Sequence, residues 1–344
     1  MKKSSCLIFF LLCYFFCFSQ QNIMFSESII VEDLEKHLKI LASDSLEGRE
    51  TGKPGQKMAA DYIMNHFRNI GIPPYKRNTY YQKFKINSGK HLCKCDDCDM
   101  SFIKKILGQK KKIKGENVLG YIEGTDLKEE LIVITAHYDH LGKHDSLIFN
   151  GADDDGSGTV AAMEIAEGFM LAKKEGFGPR RSILIMLVSG EEKGLLGSKF
   201  YTDNPIYPLE KTVVNLNIDM IGRIGDFHTD PNYVYLIGSN MLSTELHNIS
   251  EEINKKYTRL YLDYTFNKED DPNRYYYRSD HYNFAKNNIP VIFYFNGIHE
   301  DYHKPTDTIE KIDFLKIKKI TKFIFLTAWE LANRDKRLVV DKKE

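Results

Sequence analysis

Leu131-Ile-Val-Ile-Thr135 is apolar at its first four positions and leads directly into Ala136-His-Tyr-Asp-His-Leu-Gly142. A short, mostly β-branched run that is apolar on both faces reads as an interior strand of a sheet covered by helices. Ser182–Val188 (SILIMLV) repeats the pattern, and Asn117–Ile122, Val213–Ile218, Tyr233–Ile237 and Pro290–Phe295 are further strand candidates. Helical spacing separates them at Gly158–Lys174, Leu242–Tyr257, His281–Asn287 and Phe314–Asn333, and precedes them at Glu32–Leu41 and Gly55–Ile70. This alternation predicts an α/β fold, a three-layer sandwich with a mixed, mostly parallel central sheet.

The chemically capable residues follow the strands. His137 and Asp139 come after Leu131–Thr135, Glu191 and Glu192 after Ser182–Val188, Asp219 after Val213–Ile218, and the segment ending in His303 after Pro290–Phe295. Open α/β sheets bind ligands at the carboxyl ends of their strands, so four strand ends deliver carboxylates and imidazoles to one edge. A single acid after a strand is ordinarily a helix cap or a solvated loop residue. Asp153-Asp154-Asp155 is different, because three consecutive acids repel one another unless cations or backbone N–H groups neutralise them. Mixed histidine and carboxylate ligation suits zinc. Two metals sharing one carboxylate can polarise a carbonyl and activate a bridging water, while a free glutamate moves the proton.

The rest of the chain sets bounds. Lys2 and Lys3, the apolar run Cys6–Phe18 and the small residue Ser19 have the build of a cleavable signal peptide over 1–19, which predicts a secreted or periplasmic protein. The apolar run is shorter than a spanning helix needs. Without the two leader lysines there are 46 basic and 48 acidic side chains, a balance that argues against nucleic acid or an anionic membrane surface as the main partner. The remaining 20–344 reads as one domain. It carries a Lys-rich, Cys-containing surface insert near 84–115 and a loop insert near 264–278, rich in Asp, Asn and Tyr. Cys93, Cys95 and Cys98 beside His91 could hold a structural zinc. In an oxidising compartment, one local disulfide involving Cys98 with a thiol left over is the simpler expectation.

Taken in order, the motifs Leu41-Ala-Ser-Asp-Ser-Leu-Glu-Gly-Arg49, Thr51-Gly52, Ala136–Gly142, Gly151-Ala-Asp-Asp-Asp-Gly-Ser-Gly158, Glu191-Glu-Lys-Gly-Leu-Leu-Gly-Ser198, Asn217–Arg223, Arg278-Ser-Asp-His281 and Asp301-Tyr-His-Lys-Pro-Thr-Asp-Thr308 resemble the family-28 metallopeptidases, the co-catalytic zinc aminopeptidases of secreted bacterial type. The resemblance covers nearly all of the chain after the leader. It implies a zinc-aminopeptidase-like fold and two Zn2+ ions. His137, Asp154 and Asp219 would hold one ion, and Glu192, His303 and the same Asp154 the other. Glu191 matches the general acid/base, and Asp139 an acid behind the ligands that orients the histidine or tunes the site. Tyr302 matches a tyrosine that steadies the oxyanion. His140, Asp153 and Asp155 lie nearby and receive no metal. His299 and His281 are alternatives to His303, which the Tyr-His pairing favours. The implied reaction is hydrolysis of the N-terminal residue from peptides with a free N-terminus.

Two other readings share these motifs. A glutaminyl cyclase uses one zinc and tends to carry Trp before the final His, where this chain has Tyr302. A non-catalytic peptidase-like ectodomain would have lost ligands, whereas all five matched positions and Glu191 hold competent residues here. Related carboxypeptidases tend to carry an inserted domain for which the interval Tyr80–Asn117 has no room.

Overall fold

The computed structural model describes residues 22–76, 78–87 and 112–342. The proposed leader and all six cysteines lie outside the described residues, with whatever pairing Cys93, Cys95 and Cys98 make.

The strands of the main sheet are β1 (Tyr81–Asn87), β2 (Lys112–Ile122), β3 (Leu127–His137), β6 (Arg181–Val188), β7 (Thr212–Ile218), β8 (Tyr233–Ile237), β9 (Tyr261–Asp263) and β10 (Val291–Phe295). A small hairpin is made by β4 (Gly142–His144) and β5 (Leu147–Phe149). The sheet order is β1-β2-β6-β3-β7-β10-β8-β9. The central strands β6, β3, β7 and β10 are parallel, while β2 runs against β6 and β8 against β10. The sheet is therefore mixed and parallel where it matters. Helices that accompany it among the described residues include α1 (Val31–Leu41), α2 (Pro54–Asn69), α3 (Gly158–Lys174), α4 (Leu196–Asp203), α5 (Thr244–Ile253), α6 (His281–Ala285) and α7 (Phe314–Asn333).

The alternation of strand side chains divides the core. Ile132, Ile134 and Ala136 of β3 pack with α1, α2, α3, α5 and α7 on one face. Leu131 and Val133 pack on the other with Tyr201 of α4 and Phe284 and Ala285 of α6. Every residue of β6 and β7 is buried, as the continuous apolar runs require of strands covered on both faces.

The expected insert at 84–115 is corrected at its ends. Residues 84–87 and 112–115 belong to β1 and β2, paired from Tyr81↔Val118 to Asn87↔Lys112. Gln82 and Phe84 are buried while Lys83 and Lys85 face solvent. The lysines protect an edge strand and hide its period-two pattern within a charge-rich composition. The rest of the expected insert, 88–111, lies outside the described residues. The helix expected at Leu242–Tyr257 begins at Thr244, entered through Ser243, whose hydroxyl accepts the Leu246 N–H at 3.2 Å, and closes in a π-helical turn over Asn254–Thr258.

Arg49 explains why the Leu46-Glu-Gly-Arg49 segment matters. Its buried guanidinium donates to the carbonyls of Leu41, Tyr138, Asn150 and Gly151 at 2.5–2.9 Å. It thereby ties the loop after β3, which carries Asp139 and His140, to the loop before α3, which carries Asp154. Arg49→Ala orphans four carbonyls at once. It is expected to lower the unfolding free energy of metal-free protein by at least about 3 kcal/mol in urea titration.

Candidate metal centre

The carboxyl ends of β3, β6, β7 and β10 converge as the sequence predicts. His137 is the last residue of β3 and is fully buried. Its Nδ1 lies 3.1 Å from the main-chain carbonyl of Asp139, which fixes that nitrogen as a donor and turns Nε2 toward the neighbouring carboxylates. That Nε2 stands 3.2 Å from Asp154 Oδ1, 3.6 Å from Asp219 Oδ1 and 4.0 Å from Glu191 Oε2. Across the site, His303 Nε2 stands 3.1 Å from Asp154 Oδ2 and 3.3 Å from Glu192 Oε2. All five expected ligand positions, together with Glu191, are thus brought to one place.

The three consecutive acids have three different surroundings. Asp153 accepts the Gly222 N–H at 2.6 Å and lies 3.2 Å from His299 Nε2. Asp155 accepts three backbone N–H groups, from Gly158 and Met220 on Oδ1 and from His137 on Oδ2, at 2.8–3.2 Å. Although close to His137 and Asp219, its oxygens are committed to joining β3, β7 and α3. Asp154 alone of the three turns its two oxygens toward two different site histidines, and its Oδ2 completes no hydrogen bond.

Asp139 does two things with two groups. Its main-chain carbonyl orients His137, while its carboxylate stands farther off, 3.9 Å from Nδ1. That carboxylate accepts the Thr51 hydroxyl and the Glu191 N–H, the latter at 3.3 Å. The acid expected to steady the histidine therefore chiefly holds the loop of Glu191. Tyr302 stacks on His303 with ring centroids 3.8 Å apart and faces the same pocket.

Several site residues went unassigned in the sequence. The Ser279 hydroxyl donates to Asp219 Oδ2 at 2.6 Å and accepts from Asn217 Nδ2 at 2.8 Å. Asp307 accepts the N–H groups of Asp153 and Asp154 at 3.1 Å, tying the His303 loop to the acidic loop. Both lie inside the quoted motifs, but their partners are 60 and more than 150 residues away, so spacing carried no signal of their roles. His140 is buried 2.8 Å from Glu192 Oε1.

The electrostatics favour a cation. Burial opposes charge on Asp154, yet His140, His137 and His303 outweigh it and hold the carboxyl well below its usual range. Burial also works against protonated His303, but Glu192 and Asp154 push it up to about 11. His137 is likewise raised by Asp219 and Asp154 against its burial. Burial and then Glu192, Asp219 and Asp280 push Glu191 up, with His137 opposing. The observed ligand-to-ligand spacings of 3.1–3.6 Å match the roughly 3.3 Å expected between donors on one tetrahedral zinc at about 2.0–2.1 Å. Buried, unpartnered Asp154 Oδ2 and Glu192 Oε1 add to that fit.

A model of peptidase family M28 matches residues 117–328. The chain belongs to that family. Its resemblance to a probable leucine aminopeptidase of Trichophyton verrucosum is 30% identity over 217 residues, 59% of this chain and 55% of that protein. This M28 chain thus spans about half the length of that relative. Among solved structures it resembles the LapA aminopeptidase of Legionella pneumophila, with a TM-score of 0.69 at 21% identity, covering 92% of this chain and 75% of that one. It also resembles a zinc aminopeptidase of Bacillus subtilis, with a TM-score of 0.67 at 17% identity, covering 92% and 98%. At such identities these two likenesses establish the M28 chain's fold.

A pH dependence follows. His137 and His303 both have folded-state pKa values raised above the ordinary imidazole value, so metal-free protein holds both protons at neutral pH. A metal must displace them. The affinity for each zinc should therefore fall as pH falls from 8 to 6, by up to about tenfold per unit for the one histidine proton it displaces, with about two protons released when both positions fill. Chelator competition and calorimetry in buffers of different ionisation enthalpy read the two quantities.

Proposed function

We propose that this chain is a zinc-dependent aminopeptidase with two zinc ions, one held by His137, Asp219 and Asp154 and the other by Glu192, His303 and Asp154. The observation that carries this reading is Asp154, whose two oxygens face two different histidines, with Glu191 beside the first of them. When bound, the zinc ions would polarise the scissile carbonyl and make a water acidic enough to react near neutral pH. Glu191 takes the proton from that water and returns it to the departing amine. Asp139 and Thr51 keep Glu191 in place through the loop. The Tyr302 hydroxyl donates to the oxygen that becomes negative. The carboxylates around the site would receive a free α-amine, which favours action at the amino end.

The pocket over the site is walled by Met220, Tyr275, Phe293, Phe295 and Ile298, and exposed Arg278 also lines it. Those walls suit an apolar N-terminal side chain. Tyr275 and Arg278 come from the loop insert near 264–278. The apolar leader at 1–19 supports export from the cytoplasm, to a secreted or periplasmic location.

Purified protein should bind two zincs and release the first residue of aminoacyl anilides in a chelator-sensitive manner. Glu191→Ala should cut kcat by about 10²–10⁴-fold while keeping its metal. Tyr302→Phe should cut kcat by about 10²-fold with KM little changed. Full activity after chelation or in Glu191→Ala would overturn the reading. Cyclisation of Gln-peptides without hydrolysis would replace it with a glutaminyl cyclase.

A further inference from the structure

His140 follows Asp139 on the loop after β3, and its side chain is fully buried. Its N–H donates to the Arg49 carbonyl at 3.3 Å, and a bridge to Glu50 fixes the loop further. Gly151 makes room for the ring. Its φ is +55°, and a Cβ there would stand 2.5 Å from His140 Cγ and collide with the Asp154 carbonyl. Only glycine lets the imidazole and the acidic loop come this close.

The ring's polar atoms are what call for an explanation. His140 Nδ1 stands 2.8 Å from Glu192 Oε1 and 3.8 Å from Asp154 Oδ2. All three atoms are buried, and the close His140–Glu192 pair lacks the angles of a hydrogen bond, so none of the three completes one by geometry. Histidine, aspartate and glutamate here each offer an atom within 4.8 Å of the others. Buried polar atoms are nearly always partnered, and three unpartnered ones facing each other describe a cation's shell better than a hydrogen-bond cluster. His303 completes that shell from the other side, 3.1 Å from the same Asp154 oxygen and 3.3 Å from the other oxygen of Glu192. The two imidazole rings are inclined at 64° with centroids 5.9 Å apart.

We propose that His140 Nδ1 is a ligand of the metal held by Glu192, His303 and Asp154, so that this position has two imidazoles where the His137 position has one. The inference rests on the zinc reading above and refines it. Nitrogen donors favour zinc, so the first equivalent of zinc enters the His140–His303 position and the second enters at His137.

The test uses the full chain, His140→Ala and His140→Gln. X-ray absorption at the zinc edge of fully loaded wild-type protein should count three imidazoles over two ions, His137, His140 and His303. A count of two overturns the proposal even if the variants fail to fold. Loss of a mere outer partner costs about 10–100-fold in metal affinity. His140→Ala should therefore weaken the tighter zinc by at least about 100-fold in chelator competition, measured at a temperature where the metal-free variant is still folded. Retention of both zincs within about threefold of wild type overturns the assignment. Recovery of wild-type affinity in His140→Gln also overturns it, because it would make the role a hydrogen bond to Glu192. Wild-type protein that takes up no zinc overturns the zinc reading itself.

Discussion

Asp154 is a carboxylate buried within reach of three imidazoles, and the architecture around it serves to keep it there with its charge. A carboxylate removed from water loses several kcal/mol of solvation unless neighbours replace it. Here His137, His140 and His303 do so, and each arrives on a different constraint. His137 comes at the end of an interior strand. His140 comes on a loop held by Arg49. His303 comes on a loop held through Asp307. Were the central strands not parallel, their ends would not meet at one edge, and the carboxylate would have no partners.

The same edge buries Asp139, Asp153, Asp155, Asp280 and Asp307. Backbone N–H groups hold Asp153, Asp155 and Asp307, the loop of Glu191 and the Thr51 hydroxyl hold Asp139, and the Ser198 hydroxyl holds Asp280. The acids divide into those fastened to the polypeptide and those left facing the pocket. That division is what makes a metal centre out of an acidic cluster: fastened acids build the walls, and the remaining ones meet histidines at spacings a small divalent ion can span.

How much of this was legible in the sequence depends on the range of the interaction. Leu131–Thr135 and Ser182–Val188 announce interior strands because burial on both faces leaves no polar positions. Phe314–Asn333 is entered at Asp313, whose carboxylate accepts the Lys316 N–H. β1 was missed because its outward lysines carry the composition, and β9 because three residues hold no period. Glu191 and His303 were found through motif order. The separate duties of Asp153, Asp154 and Asp155 could not be read from adjacency, since their partners Gly222, His303 and Met220 arrive from other strand ends. Ser279 and Asp307 were hidden for the same reason.

The pairing of β1 with β2 bears on how the protein can vary. Asn87 and Lys112 are register partners across an antiparallel ladder, so the chain between them departs and returns at neighbouring points. Closing a loop between fixed neighbours costs free energy that grows only with the logarithm of its length, about 0.6 kcal/mol for each doubling. Residues can therefore be gained or lost between those two positions at little expense to the sheet. The register of β2 against β6 places Lys112 on the side where β6 ends, so Asn87 and Lys112 stand at the sheet edge that also bears the metal centre. Evolution has there a place to add material beside the chemistry without rebuilding the fold that supports it.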